Sequence, residues 1–289
     1  MTNKTIFSIA GSLVACFFSA AVSMAQIPDP TLITLNTGRQ FGVFTKEDAI
    51  QKAAVIKGST PSTTALLVFR GWPGIARLES GRDAFRSLNF MQGQIQLFTS
   101  NGISLVVVDC PTDQWALRNP GNPASCDDNF RSSETHAADI RKLITTLRNE
   151  HGFTSIFLFG HSYGTISSKW LAFHLGDMIN GSIHSAAQTL AGRGDYAQFG
   201  NSSSRIKLDQ IRTPIVHIHH ADDRCWVTPY TIVKDYAGKN LMSVYGGSTS
   251  GDQCGAKHYH SYEGREAAVS KAIIRWIKTG ELEETIGRD

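Results

Sequence analysis

The sequence has 289 residues, of which 41% are hydrophobic and 18% are charged, and its formal net charge is +3. This composition is typical of a globular protein, and the length allows one large domain or two small ones. The chain has no basic run that would indicate a nucleic-acid partner. After residue 25 no run is long and apolar enough to span a bilayer, so we expect no stable membrane insertion.

The first 25 residues differ in composition from the rest of the chain. Lys4 gives a positive start, residues 5–22 are apolar and small, and residues 23–25 supply small side chains where a signal peptidase reads them. This pattern predicts a secretory signal peptide over residues 1–25 that is cleaved before Gln26. The mature protein would then be periplasmic or extracellular.

A lipoprotein is the alternative interpretation of this leader. Residues 13–16 would suit a lipoprotein cleavage box, which would leave Cys16 as a lipid anchor. The sequence stays apolar at Phe17 and Phe18, where a lipoprotein normally turns polar, and this favours the soluble exported form. We expect residues 26–289 to form a single domain.

Four cysteines follow the leader: Cys110, Cys126, Cys225 and Cys254. An even number of cysteines in an exported chain predicts disulfides, and four cysteines allow three pairings. Sequence order and loop placement favour pairing Cys110 with Cys126 and Cys225 with Cys254. Unpaired buried thiols are the alternative, whereas zinc is disfavoured because the sequence has no C-x-x-C pair.

Strands and helices alternate along the chain from residue 65 onward. Before that point, β-rich pieces within residues 31–57 predict a hairpin or sheet edge. Strands are predicted at residues 65–69, 103–108, 155–159, 179–185, 211–219 and 241–245, and helices at residues 90–100, 134–147, 166–175 and 265–278. This alternation predicts a mainly parallel central sheet with helices on both faces. The short segment at residues 186–212 predicts little or no cap domain and an open site.

The pentapeptide Gly-His-Ser-Tyr-Gly at residues 160–164 lies between a predicted strand and a predicted helix. A strand, a G-x-S-x-G turn and a helix together are typical of a nucleophile elbow, in which the serine hydroxyl stands exposed above the sheet. The flanking glycines fit this interpretation because a Cβ at either position would crowd the sharp turn. A flexible loop is the alternative, but the flanking elements favour the elbow and predict Ser162 as a nucleophile.

A serine nucleophile requires a base that takes its proton and an acid that orients the base. After such an elbow the acid is expected first and the histidine second. Asp222 and Asp223 follow the strand predicted at residues 211–219, at the carboxyl end where sites of open α/β sheets lie. We interpret Asp223 as the acid and keep Asp222 as the alternative.

The base is expected in the loop between the last strand and the last helix. This loop holds His258 and His260, and His260 is preferred because it lies closer to the helix that fixes the loop. A disulfide between Cys225 and Cys254 would tie this loop to the acid loop. His-x-His at residues 217–219 is reminiscent of metal sites, but the residues that follow do not continue such a pattern, so we expect no metal.

Two preorganised N–H donors must stabilise the tetrahedral intermediate of acyl transfer. The backbone amide of Tyr163, directly after the serine, is expected to be one of them. The other is expected in the turn at residues 71–74, where Pro73 has no N–H and Trp72 is therefore the natural donor. An ordinary turn with Trp72 as a packed anchor is the alternative.

Taken together, the G-H-S-Y-G elbow, the G-W-P-G turn, the D-D-R-C acid loop and the H-S-Y-E-G histidine loop resemble the α/β-hydrolase fold superfamily over about residues 65–278. More narrowly, residues 107–109, 112–114, 130–132, His136 and residues 139–140 resemble a group of exported bacterial α/β-hydrolases. The resemblance implies a serine esterase that cleaves small-molecule esters without a cofactor. Acyl transfer or amide cleavage by the same residues, or a catalytically silent binding domain, are the alternatives; the oligomeric state is left open.

Overall fold

The structure, a computed structural model, describes residues 29–59, 61–79, 85, 88–116, 125–190 and 205–288. The predicted signal peptide and Cys16 lie outside these residues. Within them, no helix has both the length and the apolar character that crossing a membrane requires.

The strands are β1 (Thr31–Phe41), β2 (Glu47–Ile56), β3 (Thr64–Phe69), β4 (Ile103–Val108), β5 (Trp115–Ala116), β6 (Ser125–Cys126), β7 (Ser155–His161), β8 (Gly181–Ser185), β9 (Ile215–His220), β10 (Leu241–Val244) and β11 (Thr285–Ile286). In the central sheet, neighbouring strands follow the order β1-β2-β4-β3-β7-β8-β9-β10-β11. β1 and β2 form an antiparallel hairpin, β2 also runs antiparallel to β4, and the remaining neighbours are parallel. A separate ribbon pairs β5 with β6.

Helices cover both faces of this sheet. They are α1 (Ile95–Ser100), α2 (Asp128–Arg131), α3 (Glu134–His151), α4 (Gly164–Leu175), α5 (Tyr230–Ala237) and α6 (Glu266–Thr279). In β3, Leu66 and Val68 pack into the core that holds α1 and α6, whereas Leu67 and Phe69 pack into the core that holds α3 and α4. Because successive strand residues face opposite sides, apolar runs without polar interruption build two cores at once.

The predicted elements are present, with local corrections. The helix predicted at residues 90–100 begins as a 3-10 segment, Asn89–Gln94, before α1, and Gly93 weakens helix formation there. β9 starts at Ile215 rather than at residue 211, since Pro214 has no N–H for the sheet. The sequence did not predict α5 or β11, which are short.

Both predicted disulfides are present, Cys110–Cys126 and Cys225–Cys254. The segment predicted to be too short for a cap lies partly outside the described residues, at positions 191–204. Its described parts, residues 186–190 and 205–212, contain a 3-10 turn at Leu208–Gln210 and no cap. Because β3, β7, β8 and β9 are parallel neighbours, their carboxyl ends meet at one edge of the sheet.

Candidate active site

Ser162 occupies a strained turn between β7 and α4. Its φ is +54°, a left-handed backbone conformation that residues other than glycine rarely adopt and that often marks functional positions. The flanking glycines make this turn possible, because a Cβ on Gly160 would lie 2.4 Å from Ser168 Oγ and one on Gly164 would lie 2.1 Å from Phe69 O. The close packing predicted for the two glycines of the elbow is therefore present.

The structure brings Asp223 and His260 together. His260 Nδ1 lies 2.9 Å from Asp223 Oδ2, and both side chains are buried. The alternatives lie differently, since Asp222 is exposed and its backbone N–H donates to Nδ1 of His220. His258 caps the short turn that carries His260 and has no hydrogen bond at Nδ1 within the described part of the chain.

Four donors surround the Asp223 carboxylate. Besides His260, Thr228 Oγ1 donates to Oδ2 at 3.0 Å, His219 Nε2 lies 3.2 Å from the same oxygen, and the backbone N–H of Cys225 donates to Oδ1 at 2.9 Å. Burial alone would raise the pKa of Asp223, but His260 and His219 hold the pKa of this carboxyl well below its usual range. An ionised carboxylate only accepts hydrogen bonds, so His260 carries its proton on Nδ1.

Sequence reasoning missed the role of His219. The sequence pattern had suggested only metal binding for this residue. In the structure its side chain is fully buried, and besides contacting Asp223 its Nε2 lies 2.8 Å from the carbonyl oxygen of Thr228. The available signal was position, because His219 stands at the end of β9 four residues before Asp223. The turn after the strand folds the carboxylate back onto this ring.

Tyr262 fixes the histidine loop to the ends of three strands. It is fully buried at a φ of +60°, and its hydroxyl donates to Ile218 O at 2.8 Å. The Tyr262 hydroxyl oxygen also accepts from the Ala186 N–H at 3.1 Å and pairs with Ser185 Oγ at 2.8 Å. Ser185 Oγ in turn pairs with His161 Nδ1 at 3.0 Å. Burial raises the pKa of Tyr262, so its hydroxyl stays protonated. His260, two residues earlier, is thereby held against the sheet edge.

The turn after β3 borders the elbow. A Cβ on Gly71 would lie 3.7 Å from Ser162 Cβ, and the rings of Trp72 and Tyr163 are 5.6 Å apart. The Tyr163 hydroxyl donates to Cys126 O at 2.6 Å, while the Cys126 N–H donates to Pro73 O at 3.0 Å. The Cys110–Cys126 disulfide therefore anchors the strand that supports both the turn and the elbow.

A cavity of about 420 Å³ opens over the elbow. Ser162 and His260 line it together, as do the two predicted oxyanion donors, Trp72 and Tyr163. Its other walls come mainly from the Cys225–Cys254 disulfide and the residues beside it, with Asn89, Gln188, Trp226 and Asp252 supplying aromatic, amide and acidic groups. This size is typical of a small-molecule site. No cluster suited to a metal ion occurs in the described ranges.

Solved structures resemble this chain at low identity. Est1E from Butyrivibrio proteoclasticus, also solved with ferulic acid bound, matches with a TM-score of 0.53 at 13% identity over 80% of this chain and 94% of its own. An α/β serine hydrolase without lid from Xanthomonas campestris matches with a TM-score of 0.50 at 16% identity, over 86% of this chain and 93% of its own.

The acylaminoacyl peptidase of Pyrococcus horikoshii has a TM-score of 0.56 at 14% identity, over 91% of this chain but 44% of the peptidase. No protein-family model matches the chain, and no curated protein matches its sequence. At these identities the likeness shows a shared fold alone.

Proposed function

We propose that this chain, which has the α/β-hydrolase fold, is a serine hydrolase that cleaves carboxylic esters through an acyl-enzyme intermediate. One observation carries the proposal: His260 is hydrogen-bonded at Nδ1 to the buried Asp223 carboxylate and lines the same cavity as Ser162. The strained turn under the serine and the pairing of imidazole with carboxylate are the parts that nucleophilic catalysis requires.

The first half-reaction would form the acyl enzyme. With its proton on Nδ1, His260 has a basic Nε2 that accepts the Ser162 proton as Oγ attacks the acyl carbon. Negative charge then develops on the former carbonyl oxygen, which the backbone amides of Tyr163 and Trp72 would stabilise. As the intermediate collapses, the imidazolium returns its proton to the departing alcohol.

The second half-reaction would reverse these roles with water. His260 Nε2 takes a proton from water, hydroxide attacks the acyl carbon, and the bond to Ser162 breaks with return of the proton to Oγ. Asp223 stabilises the imidazolium in both steps, which requires that it stay ionised at working pH. The surrounding donors keep its pKa low, and this supports its assignment as the acid.

The proposed substrate is a small-molecule ester. The cavity volume supports a ligand of that class. Est1E, with the same fold, binds ferulic acid, a carboxylic acid of the kind that ester hydrolysis releases.

Export to an oxidising compartment is part of the proposal. Two disulfides in one chain support it, because such bonds persist mainly in secreted and periplasmic proteins. We expect the intact mass of the protein recovered from the periplasm or medium to correspond to a chain that begins at Gln26. A lipid-modified mass beginning at Cys16 would contradict the soluble form.

Labelling by a fluorophosphonate probe tests the nucleophile. We expect Ser162→Ala to abolish labelling and to lower kcat on a short-chain p-nitrophenyl ester by on the order of 10⁵-fold or more. Ser261→Ala is the matched control, since Ser261 lines the same cavity, and the probe should still label Ser162 in this variant. Labelling that survives in Ser162→Ala would refute the proposal. Partition of the acyl group between water and added alcohol separates hydrolysis from acyl transfer.

A further inference from the structure

Arg131, the last residue of α2, is buried beneath both the turn after β3 and the elbow. Its side chain is only 3% exposed, and its Nε has no hydrogen-bond partner among the residues that the structure describes. Its other nitrogens donate to neutral oxygens, with Nη1 3.0 Å from Ser167 Oγ and Nη2 3.3 Å from Gly74 O and 3.5 Å from Arg70 O. A guanidinium stays protonated under such conditions, so a full positive charge is buried here.

The groups that Arg131 contacts all belong to the proposed oxyanion hole or its supports. The carbonyls of Arg70 and Gly74 flank Trp72 on either side. Ser167 lies in the first turn of α4, the helix that begins directly after Tyr163. The guanidinium carbon of Arg131 lies 4.6 Å from the centre of the Tyr163 ring. One planar side chain therefore bridges the two segments that supply the two amides.

The turn is shaped around this side chain. A Cβ on Gly74 would lie 1.8 Å from Arg131 Nη2, and Gly74 has a φ of +80°, so only glycine fits this place. Burying this cation is costly, because the attraction of Asp128 and Asp109 does not offset its desolvation, and an apolar side chain would fill the space at less cost. Charge-assisted hydrogen bonds to two carbonyls, however, fix backbone position more strongly than neutral contacts do.

We propose that Arg131 is a positioning residue that holds the amides of Trp72 and Tyr163 at the spacing required by a tetrahedral oxyanion. The inference rests on the proposed function. Because these donors act on charge that develops only in the transition state, loss of Arg131 lowers kcat and leaves substrate binding largely unchanged.

The test compares Arg131→Met and Arg131→Lys with the wild-type protein after circular dichroism has established folding. We expect kcat to fall by about 10- to 100-fold in both variants with KM within about twofold, a smaller effect than deleting a donor outright. The inhibition constant of an arylboronic acid, whose adduct on Ser162 is tetrahedral, should rise by the same factor as kcat/KM falls. A merely structural role would not couple these two quantities.

Lys169→Met is the matched control, because it removes a second fully buried basic side chain, on α4, whose Nζ has no hydrogen-bond partner among the described residues. It should leave kcat and the boronic acid inhibition constant within about threefold of wild type. Wild-type values in folded Arg131→Lys, or equal losses in Lys169→Met, would overturn the inference. If Arg131→Met does not fold, Arg131→Lys decides alone. A wild-type protein that neither turns over esters nor labels at Ser162 refutes the proposed function and this inference with it, a result visible before any Arg131 variant is made.

Discussion

His219 Nε2 lies 3.2 Å from Asp223 Oδ2 and 2.8 Å from Thr228 O. A carbonyl oxygen only accepts, so Nε2 carries the proton and donates it to Thr228 O, while the same nitrogen lies beside the carboxylate. Asp223 is thus contacted by an imidazole from the strand and by His260 from the cavity side. The inner imidazole supports the acid without reaching the cavity.

Replacing His219 with Phe should lower kcat/KM by about tenfold, because a hydrogen bond to a charged acceptor is lost while most of the ring volume is kept. His217→Phe is the matched control. His217 is equally buried two residues earlier in β9 and does not contact Asp223. Its kcat/KM should stay within about threefold. Equal losses of kcat/KM in both variants would indicate that disruption of the core causes the effect.

Asp223→Asn should lower kcat by on the order of 10⁴-fold, because an amide can hold His260 in the wrong tautomer and does not stabilise an imidazolium. Asp222→Asn, at the exposed neighbouring position, should retain near wild-type kcat. Steady-state kinetics on one chromogenic ester measures both. The opposite ranking would identify Asp222 as the acid.

Tyr262→Phe should lower the free energy of unfolding by about 1 kcal/mol, since the hydrogen bonds of the Tyr262 hydroxyl to Ile218 O and Ser185 Oγ are lost while Ile218 O still accepts from the Ala186 N–H. Urea denaturation measures this change. Tyr259→Phe is the control, because Tyr259 lies in the same loop, is partly exposed and stacks on His220 through its ring. A drop in stability for Tyr259→Phe as large as that for Tyr262→Phe would contradict the role given to the network.

Lys169 predicts a rise of stability with pH. Its ammonium is fully buried 4.6 Å from the Tyr236 ring centre, and burial lowers its pKa from 10.5 to about 7. Between these values the unfolded chain binds more protons, so the free energy of unfolding rises with pH, by at most about 1.4 kcal/mol per pH unit. This contribution is complete above pH 10.5 and is lost as pH falls through 7.

Lys169→Met should therefore stabilise the protein at pH 7 and flatten the stability profile between pH 7 and 10. Chemical denaturation across this range provides the measurement. Lys271→Met, at an exposed position of α6, should leave both the stability and the slope unchanged. A slope that persists in Lys169→Met would mean that other groups cause it.

Local sequence features predicted most of the fold. Apolar runs such as the one at residues 103–108 identified strands buried on both faces, and the observed β4 has the same bounds. The elbow pattern at residues 160–164 predicted the tight strand–helix turn, because only glycine fits at positions 160 and 164. Elements defined by few residues escaped prediction, since α5 has eight residues and β11 has two.

The supporting residues of the candidate site could not be predicted, because their partners are distant in sequence. Arg131 bonds to residues 36, 57 and 61 positions away, and Tyr262 bonds to a carbonyl 44 positions away. No periodicity or motif encodes such contacts. The preference for His260 over His258 rested on proximity to α6; in the structure His260 contacts Asp223, and Tyr262, two residues later, fixes its loop.

The Cys225–Cys254 disulfide also determines which cavity positions can be varied in an engineered form of this protein. Both cysteines form part of the cavity wall, and Trp226, Val227, Asp252 and Ala256 line the cavity close to them in sequence. The covalent link keeps the backbone of these two loops together whatever side chains they carry. A library that varies those four positions can therefore explore new substrate shapes while Asp223 and His260 keep their relative placement.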